Sequence, residues 1–346
     1  MSLREAFVQQ SDSCGRLGSP FMAQMFRLLA DHWPQDTALD ARIARFSGDL
    51  GPSGASVPLR IGGGLHALVL SRRAPALAEV FPPRHVPDAR LLPALLDAMR
   101  SHEGFLLDWI ESPPQTNEVR RSAALIGGAH VAAARFRRPV VLSELGASGG
   151  LNLMWDRFAL KVGFATLGSR DPALTLAPDW NGPVPPRTAP DVVDRAGVDL
   201  NPLDPRDPQN LMRLCAYLWA DQPERLALTR AAAEVMDARL VRADAIDWLA
   251  ARLDAPREGH LHLIQHTVAW QYFPAEQQAH GKKVIEAAGG RATDSTPLAW
   301  LAMESDGDTT GKQGAALTLK LWPGDETLHL GRADFHGRWI DWAGAS

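Results

Sequence analysis

Residues 140–153, VVLSELGASGGLNL, run from a continuous apolar stretch into a glycine-rich turn and then into apolar residues at helical spacing. Few architectures accept that order. A short apolar run bounded by turn residues reads as a strand buried on both faces, as in a parallel sheet. The glycines permit close backbone approach that a Cβ would block, and N–H groups at the start of the next helix favour a polar or anionic ligand. Strand and helix signals then keep alternating. Val192 to Asp199 reads as a second strand, Gln209 to Met236 as a helical region interrupted at Pro223, and Leu240 to Ala243 as a third strand. His260 to His266 reads as a fourth, followed by a helix from Ala275 to Ala288 that two glycines end. Leu298–Glu304, Ala315–Trp322 and Glu326–Leu330 read as terminal strands, the last two joined by Pro323, Gly324 and Asp325. This alternation predicts an α/β domain with a parallel sheet and crossover helices. The helix after the first strand is expected over Leu151 to Phe158. The stretch 159–180, rich in Thr, Val and Leu around Gly168 and Pro172, interrupts the alternation and is expected to be an inserted β-hairpin.

Upstream the pattern is mainly helical. Ser19 and Pro20 form an N-cap and N1 pair before Phe21–Leu29, and further helices are expected around Leu91–Met99 and Phe105–Ile110, stopped by Pro113 and Pro114. Gly62 to Gly64 interrupt the pattern and mark a loop or a close backbone contact. QTNEVRRSAALIGGAHVAAARF, from Gln115, resumes a helix with Thr116 or Asn117 as its cap. A chain of 346 residues exceeds one ordinary core. The expected division is therefore an N-terminal mostly helical domain at 1–110 and an α/β domain at 111–346.

Composition removes several function classes. There is no run of about eighteen apolar residues and no apolar stretch near the start, so neither a membrane partner nor export is expected, and the chain is expected in the cytoplasm. Cys14 and Cys215 lack CxxC spacing, which supports neither a disulfide framework nor a cysteine zinc site, and no metal is expected. A net charge of -4 disfavours nucleic acid as a partner.

Three ligand-loop templates compete for the turn. The dinucleotide pattern GxGxxG, started at Gly146, fails at Ser148 and Leu151, and a P-loop fails for want of Gly-Lys-Ser/Thr. The methyltransferase pattern, an acid followed by GxGxG, is met by Glu144, Gly146 and Gly150 and departs at Ser148. GASGG also satisfies GxSxG, which would make Ser148 the nucleophile of a serine hydrolase. Against that, such an elbow follows several strands of its sheet, whereas the chain before Val140 is mostly helical, and Glu144 has no role in it.

Ligands of open α/β sheets bind at the carboxyl ends of the strands. Asp199 ends the second strand, in reach of ribose hydroxyls, or it caps a turn before Pro202. Asp244 with Ala245 follows the third strand, at the adenine position, or Asp244 caps the helix that starts near Ile246. Gln265, His266 and Thr267 close the fourth, where a methyl acceptor would approach. Trp270, Tyr272 and Phe273 fit core or lid packing. The combined expectation is a Rossmann-like class I methyltransferase sheet that binds S-adenosylmethionine and methylates a small molecule or a protein side chain. Glu144, Gly146, Ser148 and Gly150 would hold the amino-acid end of the cofactor and Arg121 its carboxylate. His266 would act as base or positioning group. No Asn/Asp-Pro-Pro-Tyr or Pro-Cys string supports DNA base methylation. A non-catalytic nucleotide-binding or sensor module on the same fold is the rival.

GSPF at Gly18, PLRIGGGLHAL at Pro58, QTNEVRRSAAL at Gln115, ELGASGGLNLMWDRF at Glu144, GVDLNPLD at Gly197, and LWPGDE with HGRWIDW near the end together resemble a bacterial family, domain of unknown function 2332. The resemblance spans nearly the whole chain and implies a methyltransferase-like protein with no substrate attached. It also singles out Gln115, Asn117, Glu118, Arg121, Asn152 and Asp156 as matching the family pattern. The chain departs from the family pattern at Gly149, where the family tends to carry alanine.

Overall fold

The computed structural model describes residues 1–346 except 53, 308–312 and 345–346. The chain divides into two compact units, Met1–Thr116 with Asp207–Ala227, and Asn117–Arg206 with Leu228–Ser346. The helical unit therefore includes a segment that reading by sequence order assigned to the α/β domain, and its first piece runs past residue 110.

Helices Leu3–Arg16, Pro20–Asp31, Val57–Leu70, Asp88–Ser101 and Glu103–Ile110 build the first unit with Pro208–Ala216. Its core is apolar and aromatic, with Phe7, Phe26, Leu65 and Trp109 buried. The first helix opens on a capping box between Ser2 and Glu5. Ser19 makes no side-chain cap; its hydroxyl donates to Asp221, whose other oxygen accepts the Phe21 N–H. Gly62 to Gly64 form no loop. They lie inside the helix Val57–Leu70, and the close-contact alternative is the one realised. A Cβ on Gly62, Gly63 or Gly64 would meet Phe26 at 2.8 Å, Tyr217 at 2.6 Å or Leu106 at 2.7 Å. Each glycine costs about 1 kcal/mol of helix propensity, which packing at these distances offsets.

In the second unit the strands are β1 (Val140–Leu145), β2 (Phe158–Val162), β3 (Ala165–Gly168), β4 (Leu174–Leu176), β5 (Asp179–Asn181), β6 (Val192–Asp199), β7 (Arg239–Arg242), β8 (Leu261–Thr267), β9 (Leu298–Glu304), β10 (Ala315–Trp322), β11 (Glu326–Ala333) and β12 (Trp339–Trp342). Among the described residues nine of them form one sheet in the order β5-β12-β11-β10-β9-β8-β1-β6-β7. The five strands from β7 to β9 are mutually parallel, β9 to β12 are antiparallel, and β5 pairs parallel with β12. This is a mixed α/β architecture on a large, mostly parallel sheet.

Strand alternation sorts the core. Val140 and Leu142 of β1 and Leu261 and Leu263 of β8 pack on the face shared with the helix Ser122–Phe136, whereas Leu145 and Ile264 pack with the helices Ala245–Leu253 and Ala275–Gly289. Four expectations are corrected here. Leu151–Arg157 is a 3-10 segment, not an α-helix. Residues 159–180 hold the hairpin β2–β3, but β4 joins β2 in parallel to make a three-stranded sheet, and β5 leaves for the edge of the main one. The helix expected from Thr116 or Asn117 begins at Ser122 after a 3-10 turn, Val119–Arg121, that Glu118 caps. Pro223 opens the helix Pro223–Glu234 instead of interrupting one, since the missing N–H costs nothing at N1.

Candidate functional site

Strand β1 has β6 on one side and β8 on the other, so the chain leaves it in one direction and returns to its opposite flank. Such a reversal opens a crevice at the carboxyl ends of the strands. The turn 146–150 lies at that edge, beside the segment that follows β8. Gly146 has φ +66°, Ser148 φ +52° and Gly150 φ +70°. A Cβ on Gly146 would come within 2.5 Å of the Ala269 Cβ, so glycine is required there for conformation and for space. Val268, next to Ala269, holds φ +51°, a strained value for a β-branched residue that clusters at functional sites.

Four N–H groups at the turn and its exit have acceptors within the protein, which corrects the expectation that these stand exposed for an anion. Ala147 donates to the Val198 carbonyl (3.0 Å), Gly150 to Ala147 (2.7 Å), Ser148 to an oxygen of Asp199 (2.9 Å) and Leu151 to Asn117 (2.9 Å). The second oxygen of Asp199 accepts the Asn201 N–H at 2.8 Å. Asn117 thus pins the exit of the turn instead of capping its own helix.

Glu144 stands opposite Gln265 in register, on the β1 face that carries Val140 and Leu142. It is only 2% exposed, and its Oε2 has no hydrogen-bond partner. Burial pushes its pKa up to about 8, a Gln265 hydrogen bond opposes the rise, the Asp199 charge adds to it, and Arg121 draws it down. Around it the polar groups are tied together. The Trp155 indole N–H donates to Gln265 (2.8 Å), Gln265 donates to the Asn152 carbonyl (3.3 Å), and Ser122 donates to the Asn152 side chain (2.8 Å). Arg121 donates from Nε to the Phe335 carbonyl (2.8 Å) and from Nη1 to that of Thr267 (3.3 Å).

The remaining sequence candidates scatter around this centre. Glu118 accepts from the backbone and the guanidinium of Arg120. Asp156 forms a two-pronged pair with Arg195 of β6. Asp244 caps its helix, its Oδ1 accepting from Ile246 (2.9 Å) and from Asp247 (3.1 Å), and Ala245 is the first residue of that helix. Gln115 belongs to the first unit.

His266 follows Gln265 on β8 and so faces the opposite side of the sheet from Glu144. Its Nδ1–H donates to Glu304 (2.7 Å), its Nε2 accepts the Trp300 indole N–H (2.8 Å), and its ring stacks on Trp270 with centroids 5.1 Å apart. With both nitrogens engaged, the ring serves as a strut. Glu304 is a further residue of this centre beyond the sequence candidates; it ends β9, as Asp199 ends β6. It also accepts the N–H groups of Ala269 (2.9 Å), Trp270 (3.1 Å) and Gln271 (3.4 Å), fixing the segment after β8. Burial would raise its pKa, but the His266 hydrogen bond and the N–H groups of Ala269 and Trp270 leave it lowered. Among the described residues no cluster of His, Cys, Asp and Glu could hold a metal ion, and no helix is long and apolar enough to cross a membrane.

The strings QTNEVRR and ELGASGGLNL, far apart in sequence, meet here through the Asn117–Leu151 bond, and Arg121 of the first reaches the carbonyl of Phe335, the residue before HGRW. A search of curated proteins finds no match to this chain. The model of the family described as uncharacterized proteins conserved in bacteria, DUF2332, matches residues 4–342, and the chain belongs to that family.

Proposed function

We propose that the chain is an S-adenosylmethionine-dependent methyltransferase acting on a small molecule or a protein side chain. The observation that carries this reading is the chemistry of the glycine turn. Its N–H groups at Ala147, Ser148, Gly150 and Leu151 are used internally, while Glu144 and Asp199 supply carboxyl groups at the same strand ends. A phosphate-bearing dinucleotide needs the reverse arrangement at the turn, with the N–H donors facing the ligand, whereas an acid at the position of Asp199 suits the ribose of either cofactor. A ligand with a sulfonium and an ammonium suits an acidic crevice. The order β7-β6-β1-β8-β9 corresponds to the 3-2-1-4-5 winding of Rossmann-like sheets. The antiparallel run β10 to β12 is where the chain goes its own way.

When bound, S-adenosylmethionine supplies an electrophilic methyl group. The protein's part is alignment and exclusion of water. Gly146, Ser148 and Gly150 let the backbone approach the amino-acid end, and Arg121 balances its carboxylate. Asp199 serves the ribose, and Asp244 the adenine while it caps its helix. His266 and Glu304 hold the segment 268–273 as the acceptor-side wall.

Calorimetry with S-adenosylmethionine, S-adenosylhomocysteine and NAD tests the reading. Binding of the two S-adenosyl compounds and not of NAD is expected; binding of NAD alone overturns it. One observation favours the hydrolase alternative, the positive φ of Ser148 within GxSxG. It lacks a base in His262 and His266: the Nε2 of His262 is engaged by Ser143 at 2.8 Å, and both nitrogens of His266 are occupied.

A further inference from the structure

We infer that Glu144 is a proton-exchanging ligand group, uncharged while the crevice is empty and ionised when a cationic group of the ligand meets its buried Oε2. The inference rests on the cofactor reading above for the identity of that cation.

Three structural observations converge. Oε2 is buried without a partner in a neighbourhood where Asn117, Ser122, Asn152, Trp155 and Gln265 are hydrogen-bonded to one another or to backbone. A buried polar atom left over from so complete a network calls for an explanation from outside the protein. Next, the charged groups that act on Glu144 are Asp199 at the end of β6, which resists its ionisation, and Arg121 on the 3-10 turn, which favours it. Arg121 is already committed through Nε and Nη1 to the Phe335 and Thr267 carbonyls. The balance leaves the carboxyl protonated at neutral pH, its pKa at about 8. Finally, Glu144 is on β1 two residues before the turn, where the amino-acid end of a ligand in the crevice would lie.

An arriving ammonium reverses the balance. The Glu144 O–H bond breaks, the proton leaves to buffer, and the carboxylate forms an ion pair with the ligand; nothing is oxidised or reduced. Binding is then coupled to release of one proton wherever free Glu144 is neutral. Below about pH 8 each unit of acidification should weaken binding about tenfold, since the proton competes with the cation.

The test uses the full chain and two probes. S-Adenosylmethionine carries the ammonium and sulfonium, and 5′-methylthioadenosine carries neither. Calorimetry at pH 6.5 in buffers of different ionisation enthalpy should report release of about one proton with the first probe and none with the second. Affinity for S-adenosylmethionine should rise about tenfold per unit between pH 5.5 and 7. Glu144→Gln should abolish the proton release. Infrared spectroscopy of the ligand-free protein should show a protonated-carboxyl band at pH 6.5 that Glu144→Gln removes and S-adenosylmethionine bleaches. Absence of that band in the wild type, or binding of S-adenosylmethionine without proton release, overturns the inference alone. Failure of S-adenosylmethionine to bind at any pH overturns the cofactor reading and this inference with it.

Discussion

Removal of the Asp199 carboxylate should loosen the glycine turn before it affects any ligand. One oxygen holds the N–H of Ser148, a residue in the left-handed region and 8% exposed, and the other holds the N–H of Asn201 on the exposed side. Hydrogen bonds to a charged acceptor are worth about 1.5–3 kcal/mol each, and a donor stranded in a buried site costs about 1–3 kcal/mol. The Asn201 N–H can turn to water, so its loss costs under about 1 kcal/mol. Together Asp199→Ala should destabilise the unit by about 2–4 kcal/mol, more than the roughly 1 kcal/mol of an ordinary cap. Asp199→Asn keeps one acceptor oxygen and should lose about half as much. Urea denaturation followed by tryptophan fluorescence reads the difference as a shift in midpoint at constant slope. Calorimetry with S-adenosylmethionine on the same variants should show a further loss of about ten- to a few hundredfold for Asp199→Ala if the carboxylate also serves the ribose. A stability change below about 0.5 kcal/mol would refute the argument that Asp199 supports the turn.

Gly146→Ala should cost about 1–3 kcal/mol, because the new methyl meets the Ala269 Cβ at 2.5 Å and φ is +66°; an unchanged melting temperature counts against the packing described. Glu304→Gln should destabilise by about 2–3 kcal/mol, since an amide cannot accept at both oxygens the N–H groups of His266, Ala269, Trp270 and Gln271. Burial, with Arg252 and Arg257 nearby, pushes the pKa of His262 down to about 3. Its stabilisation is whole above the ordinary histidine range near 6.5 and is lost as the pH falls toward 3, so acid titrations of stability should flatten in His262→Asn. A fluorophosphonate probe should leave Ser148 unlabelled, and labelling that Ser148→Ala abolishes would favour a hydrolase.

The parallel half of the sheet was legible because β1, β8 and β9 are largely apolar runs bounded by turn residues, and the glycine turn because positive φ and clearances of 2.5 and 2.7 Å exclude a Cβ at Gly146 and Gly150. Asp244 illustrates an ambiguity that sequence could not resolve, since a cap and a ligand group require the same residue type at the same place. Gln265 and His266 were grouped as neighbours in sequence, yet a strand sends consecutive side chains to opposite faces, and only Gln265 sits with Glu144. The Asn117–Leu151 bond joins residues 34 apart, and no local pattern announces such a contact. The sequence-order assignment of 207–227 to the α/β domain follows from reading signals in series, whereas burial of Tyr217 and Trp219 with Phe26 and Leu65 is long-range.

That discontinuous helical unit has a consequence for how the protein is made. Asp221 is the partner of Ser19 and of the Phe21 N–H, the Ala216 and Leu218 carbonyls accept from His66, and Tyr217 packs against Gly63. Ala216, Tyr217, Leu218 and Asp221 do not exist while the ribosome is still adding residues 117–206. At about 5–20 residues per second the first 116 residues wait roughly 5–20 s with the side of Gly63 uncovered and a histidine unsatisfied, after which a short late segment closes them. Synthesis arrested before residue 227, or a fragment cut at Thr116, should yield a sticky, protease-sensitive chain, and a circular permutant that starts at Asp207 should shorten the wait.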